Sequence, residues 1–102
     1  MRTVACTLDT GQMTERRTRW HELADRVFVE RVETPDGLRL VFRQDDGVEA
    51  EVRELARLES ECCAFATWAV AEADGEVRLD VTGKSTEGIA ATHGMFLRLV
   101  RS

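Results

Sequence analysis

Two tight-turn signals, each followed by strict alternation, constrain this chain more than any other feature. Pro35-Asp36-Gly37 leads into Leu38-Arg39-Leu40-Val41-Phe42-Arg43, and Asp74-Gly75 leads into Val77, Leu79 and Val81 interleaved with Glu76, Arg78 and Asp80. In a strand every second side chain points to the same side. Leu38, Leu40 and Phe42 therefore share an apolar face, and Arg39 and Arg43 a wet one. The β-rich run from Val27 to Thr34 supplies a partner ahead of the first turn, and Ala64 to Glu72, with Phe65, Trp68 and Val70, supplies one ahead of the second. Its alanines leave a helical continuation open for this third strand. Two β-hairpins, each with one wet face, are the expectation.

Between and around the hairpins the apolar period changes from two to nearly four. Trp20, Leu23, Ala24 and Val27 predict a first helix from about Met13, with Thr14 as its cap and Glu15 near its positive end. Val48, Val52, Leu55, Ala56, Leu58, Cys62 and Cys63 predict a second, from about Gly47 to Cys62 or Cys63, with Asp46 and Glu49 in the form of a capping box. Ile89, Ala90, His93, Phe96, Leu97 and Val100 predict a third, capped by Ser85 or Thr86 and carrying Arg98 and Arg101 near its C-terminus. Gly88 and Gly94 weaken that helix or let another backbone come close. Arg2 to Leu8 reads as a short strand or extended arm, closed by turn residues at Asp9-Thr10-Gly11. The expected fold is a single α+β domain over 1–102, in the order helix, hairpin, helix, hairpin, helix, with an antiparallel sheet. Helix and hairpin recur in the same order, which suggests an approximate internal repeat.

Composition narrows the function classes. A chain of 102 residues with net charge −5 offers little to a phosphate backbone, so no nucleic-acid partner is expected. The one Arg-rich run, Arg16-Arg17-Thr18-Arg19, reads as a solvated helix face. No apolar run reaches the length of a membrane span, and Met1 to Cys6 lacks the apolar centre of a signal peptide. A cytoplasmic protein with no membrane partner is the expectation. Three cysteines cannot all pair internally, and reducing compartments disfavour structural disulfides, so the thiols are read as free, buried or metal-bound.

The chemistry concentrates in Glu59-Ser60-Glu61-Cys62-Cys63-Ala64-Phe65. A nucleophilic cysteine needs a positive environment to hold its thiolate. Cys62 and Cys63 stand instead at the predicted negative end of a helix, beside Glu59 and Glu61. A bound cation reverses the sign of each of these interactions and deprotonates the thiols. Glu59 is the anomaly of the second helix, because it falls within the apolar arc while Glu61 points away. A buried carboxylate requires a partner: an arginine (Arg16, Arg17 and Arg57 are available), a donor, a proton or a metal. The candidate metal ligands are Cys6, Cys62 and Cys63, with Glu59 and His93 as secondary candidates. Soft sulfur ligation selects zinc, copper(I), mercury(II) or a trivalent metalloid over magnesium or calcium. The competing assignments are plain core burial of the cysteines, a satisfied core histidine at His93, and a structural ion pair at Glu59. The chain contains no Gly-rich phosphate loop, no His-Glu-x-x-His pair, no nucleophile elbow and no Cys-x-x-Cys.

Cys6-Thr7-Leu8 together with Glu59-Ser60-Glu61-Cys62-Cys63-Ala64-Phe65 resembles a group of small, uncharacterised bacterial proteins. These carry an N-terminal Cys-x-Leu and a central Glu-x-Glu-Cys-Cys-x-Phe, and some are associated with heavy-metal resistance. Where they commonly have proline before the Phe, this chain has Ala64. The resemblance implies that Cys6, Cys62 and Cys63 belong to one site. Three functions remain open at the level of sequence. The first is thiolate binding of a soft metal or metalloid ion, for sequestration or sensing. The second is a small thiol-dependent enzyme using Cys62 or Cys63, with Glu59 or His93 shuttling a proton. The third is a homodimeric interaction domain whose cysteines are structural.

Overall fold

The structure, a computed structural model, describes residues 10–62 and 65–96, with the side chains of 15–61 and 65–96. Its elements run α1 (Thr10–Val27), β1 (Phe28–Thr34), β2 (Gly37–Arg43), α2 (Val48–Cys62), β3 (Ala66–Ala73), β4 (Glu76–Gly83) and α3 (Thr86–His93). This is the expected α+β order of helix, hairpin, helix, hairpin, helix. The Asp74-Gly75 turn has φ of +57° and +78° at its two central residues, the geometry whose twist matches the flanking strands.

All four strands are antiparallel and lie in the order β1-β2-β4-β3. The hairpins therefore join through their second strands, with Leu38 opposite Val81, Leu40 opposite Leu79 and Phe42 opposite Val77. Gly37 sits where a Cβ would come within 1.8 Å of the Val81 carbonyl oxygen, so only glycine fits this crossing. Those six apolar residues of β2 and β4 are buried in one core with Trp20, Leu23, Ala24 and Val27 of α1 and Val48, Val52, Leu55 and Ala56 of α2. The helices thus cover one face of the sheet. The other face carries Arg39 hydrogen-bonded to Asp80 at 2.6 Å, and Arg78 to Glu76 at 3.1 Å. Val41 lies on this wet face yet is buried.

Two ion pairs show the relative direction of α1 and α2. Arg19 meets Glu51 at 3.0 Å and Arg16 meets Glu59 at 3.2 Å, so moving back along α1 moves forward along α2. The helices are antiparallel, and the start of α1 lies at the end of α2. α3 packs across the same end of the sheet. A Cβ on Gly83 would come within 2.3 Å of the Ile89 nitrogen, and one on Gly88 within 2.6 Å of the Phe65 carbonyl oxygen. Close backbone approach, one of the two roles open to Gly88, is its role in the structure.

Three local expectations change. α1 begins at Thr10 rather than about Met13, so Thr10 and Gly11 are helical where turn residues suggested a break. The capping box at Asp46 and Glu49 does not form. The Asp46 amide donates to Asp45 Oδ1 at 2.8 Å, and Glu49 accepts from Arg53 at 2.8 Å, because Gly47 (φ +78°) bends the chain immediately before α2. The third strand forms as expected, from Ala66 to Ala73, and its alanines do not extend α2. α3 stops at His93, so Phe96 of the expected stripe lies beyond the helix. Gly94 caps it, donating to the carbonyls of Ala91 and Thr92, and Phe96 then takes φ +59°. Ser85 is its N-cap, its Oγ accepting from the Gly88 amide at 3.0 Å. The N-terminal strand with Cys6, the residue Cys63, and Leu97 to Arg101 of the predicted third helix lie outside the described residues.

Candidate functional site

Glu59 sits in the last turn of α2 and is the one buried charged residue in the described part of the core, 7% exposed. Its position follows from helical spacing, since Val52, Leu55, Ala56 and Glu59 step along one face at intervals of three and four residues. The carboxylate is held from α1. Trp20 Nε1 donates to Oε2 at 2.9 Å, and Arg16 NH1 lies 3.2 Å from the same oxygen. Of the three arginines available from sequence, Arg16 is the partner. Its side chain is 13% exposed, so this ion pair is largely desolvated and geometry decides its value. The NH1 contact lacks hydrogen-bond alignment, and among the described residues that nitrogen has no hydrogen-bond acceptor.

An aromatic cluster backs the carboxylate. Phe96 packs edge-on against Trp20, with ring centroids 4.9 Å apart, and against Trp68 at 6.4 Å. The Trp68 Nε1 is also buried, with no acceptor among the described residues. The chain re-enters at Phe65, whose carbonyl accepts from the Lys84 amide at 2.9 Å and abuts Gly88. Phe65 is thereby held against β4 and α3.

Cys62 is the final residue of α2; its side chain, Cys63 and Cys6 lie outside the described residues. The last turn of α2 contains Glu59 and Glu61 and no basic residue of its own. Glu61 is exposed and paired with Arg57, which also bonds Glu54. That second bond holds the Glu54 carboxyl below the usual carboxylate range and raises the Arg57 guanidinium. The helix end thus keeps its partial negative charge, while each glutamate has an arginine beside it.

His93 lies elsewhere on this end of the molecule. Its Nε2 is 2.8 Å from the Thr34 carbonyl oxygen, to which it donates, and Arg31 donates to the His93 carbonyl at 2.7 Å and to the Met95 carbonyl at 3.0 Å. His93 therefore faces the β1-β2 turn, and its ring meets a metal only through Nδ1 or after releasing Thr34. Among the described residues no group of three His, Cys, Asp or Glu side chains is arranged to hold a metal ion. A shallow cleft of about 460 Å³ between α1 and the start of α2, lined by Arg19, Arg26, Asp46 and Glu51, lies at the opposite end of α2.

Sequence reasoning singled out Glu59 but counted Trp20 only as part of the apolar stripe. Its indole is the donor that fits a carboxylate on the facing helix, and the tryptophan was the available signal. Thr92, fully buried with its hydroxyl donating to the Gly88 carbonyl at 2.7 Å, was also missed, as nothing in its neighbours marks it. No family model, no curated protein and no solved structure matches this chain.

Proposed function

We propose that the end of α2 binds a thiophilic ion, zinc, copper(I), mercury(II) or a trivalent metalloid, through Cys6, Cys62 and Cys63, with Glu59 and His93 as secondary candidates. The observation that carries this reading is the buried Glu59, one helical turn before Cys62, held by Arg16 and Trp20 from α1. Antiparallel packing supports it. The start of α1 lies at the end of α2, and Cys6 is four residues before Thr10, within reach of about 14 Å along the chain. Thiolates at a helix C-terminus are disfavoured alone and favoured with a cation. The negative helix end weighs against the thiol-dependent enzyme, and a reducing cytoplasm is the compartment that keeps such thiols available.

Titrating the reduced protein with mercury(II), zinc and copper(I) while recording thiolate-to-metal absorption tests the reading. Tight binding that weakens strongly in Cys62→Ser supports it, and equal affinity in parent and Cys62→Ser sinks it. Trp20 gives a second signal, because an ion drawing on the Glu59 carboxylate changes the partner of its indole N–H and shifts its fluorescence.

A further inference from the structure

The two edges of the sheet are unequally protected. β1 carries a bulge between Phe28 and Glu30, exposed charges at Glu30 and Glu33, and Arg31 turned onto the helix-covered face. Bulges, charges and inward-pointing charged residues are the devices that keep an edge strand from pairing with another chain. β3 has none of these along its length except Glu72. It runs eight residues in unbroken register with β4, from Ala66 opposite Gly83 to Ala73 opposite Glu76, with no proline, no bulge and no lysine or arginine. Thr67, Ala69 and Ala71 are exposed on its open face, and among the described residues no strand pairs with its outer side.

We propose that β3 is a self-pairing edge, at which two copies of this chain join antiparallel about a two-fold axis to form one continuous sheet with all helices on the same side. The strand is complementary to itself. An axis at Ala69 or Val70 sets Glu72 opposite Ala66 or Trp68 of the second copy, so its single charge never meets its own image, and neutral residues face each other elsewhere. An isologous contact of this kind closes on itself, and the blunted β1 edges at the two ends stop further growth. The surface lies beside the proposed ion site without using any of its ligands, so either can hold without the other.

Sedimentation equilibrium of the reduced, metal-free chain over a wide concentration range is the test, paired with amide hydrogen exchange of residues 66–73 at low and high concentration. The expected result is a mass rising from 11.5 kDa towards twice that value, with β3 amides exchanging more slowly as concentration rises. In the double variant Ala69→Lys/Ala71→Lys, which places like charges opposite each other for either axis, the mass returns to that of one chain while circular dichroism is unchanged. A single-chain mass throughout, a folded double variant that remains dimeric, or β3 exchange independent of concentration overturns the proposal. If the double variant does not fold, the exchange of the parent chain decides.

Discussion

Replacing Glu59 by Gln leaves the Arg16 guanidinium largely buried without its counter-charge, and a broken pair of this kind costs about 3 kcal/mol. Trp20→Phe removes one hydrogen bond to the same carboxylate but keeps the ion pair, and about 1–2 kcal/mol is expected. Urea unfolding of both variants checks the order. A third variant separates structure from function: Arg16→Met with Glu59→Leu removes both charges together, which for buried pairs is close to neutral for stability. The account predicts that this protein is nearly as stable as the parent yet binds mercury(II) more weakly; unchanged affinity would assign Glu59 to structure alone. Glu59 was legible in the sequence because a carboxylate in an apolar arc violates the helical pattern. Which arginine answers it was not, since Arg16, Arg17 and Arg57 differ only in the packing of α1 on α2. The exposed Glu54 responds differently to pH. Arg57 holds its carboxyl low, so any stability from this pair is present above the unfolded-state carboxylate pKa and is lost as pH falls through the lowered folded value. An NMR titration should show a Glu54 midpoint below that of an unperturbed glutamate, rising in Arg57→Ala.

The strands of both hairpins follow from alternation and turn chemistry, which are local and survive in any context. Helix ends were harder to read, because the residues that mark turns also begin and end helices. Thr10 and Gly11 are tolerated in the first turn of α1, where backbone donors are unpaired anyway. Gly94 suited a weak point inside α3 and is instead its cap, with the Arg31 fork on the flanking carbonyls of His93 and Met95, which no local pattern announces. α3 is short, so its cap and its glycines should matter. Ser85→Ala removes the acceptor for the Gly88 amide and should cost about 1 kcal/mol. Gly88→Ala should cost about 1–3 kcal/mol, because its methyl group would press on the Phe65 carbonyl backbone. Thermal unfolding measures both, and a Gly88→Ala protein as stable as the parent would mean that the clamp on Phe65 yields easily.

At the scale of the molecule, the sheet order β1-β2-β4-β3 places two helix-hairpin units side by side, in keeping with the recurrence read from the chain. No residue identity predicted that β2 and β4 would be the strands to pair; the two alternating apolar faces only require that they share one core. This arrangement sends α1 and α2 across the sheet in opposite directions and brings the start of one to the end of the other, where the Arg16, Trp20 and Glu59 contacts are made. Among the described residues no helix is long and apolar enough to cross a membrane. The central claim is that the three cysteines meet one ion at that end. X-ray absorption at the metal edge of the zinc-loaded protein tests it most directly, since Zn–S and Zn–O or Zn–N distances separate cleanly, at about 2.3 and 2.0–2.1 Å. The account predicts a three-sulfur shell in the parent that falls to two in each of Cys6→Ser, Cys62→Ser and Cys63→Ser. A shell of oxygen and nitrogen alone, or one unchanged by these substitutions, would contradict it.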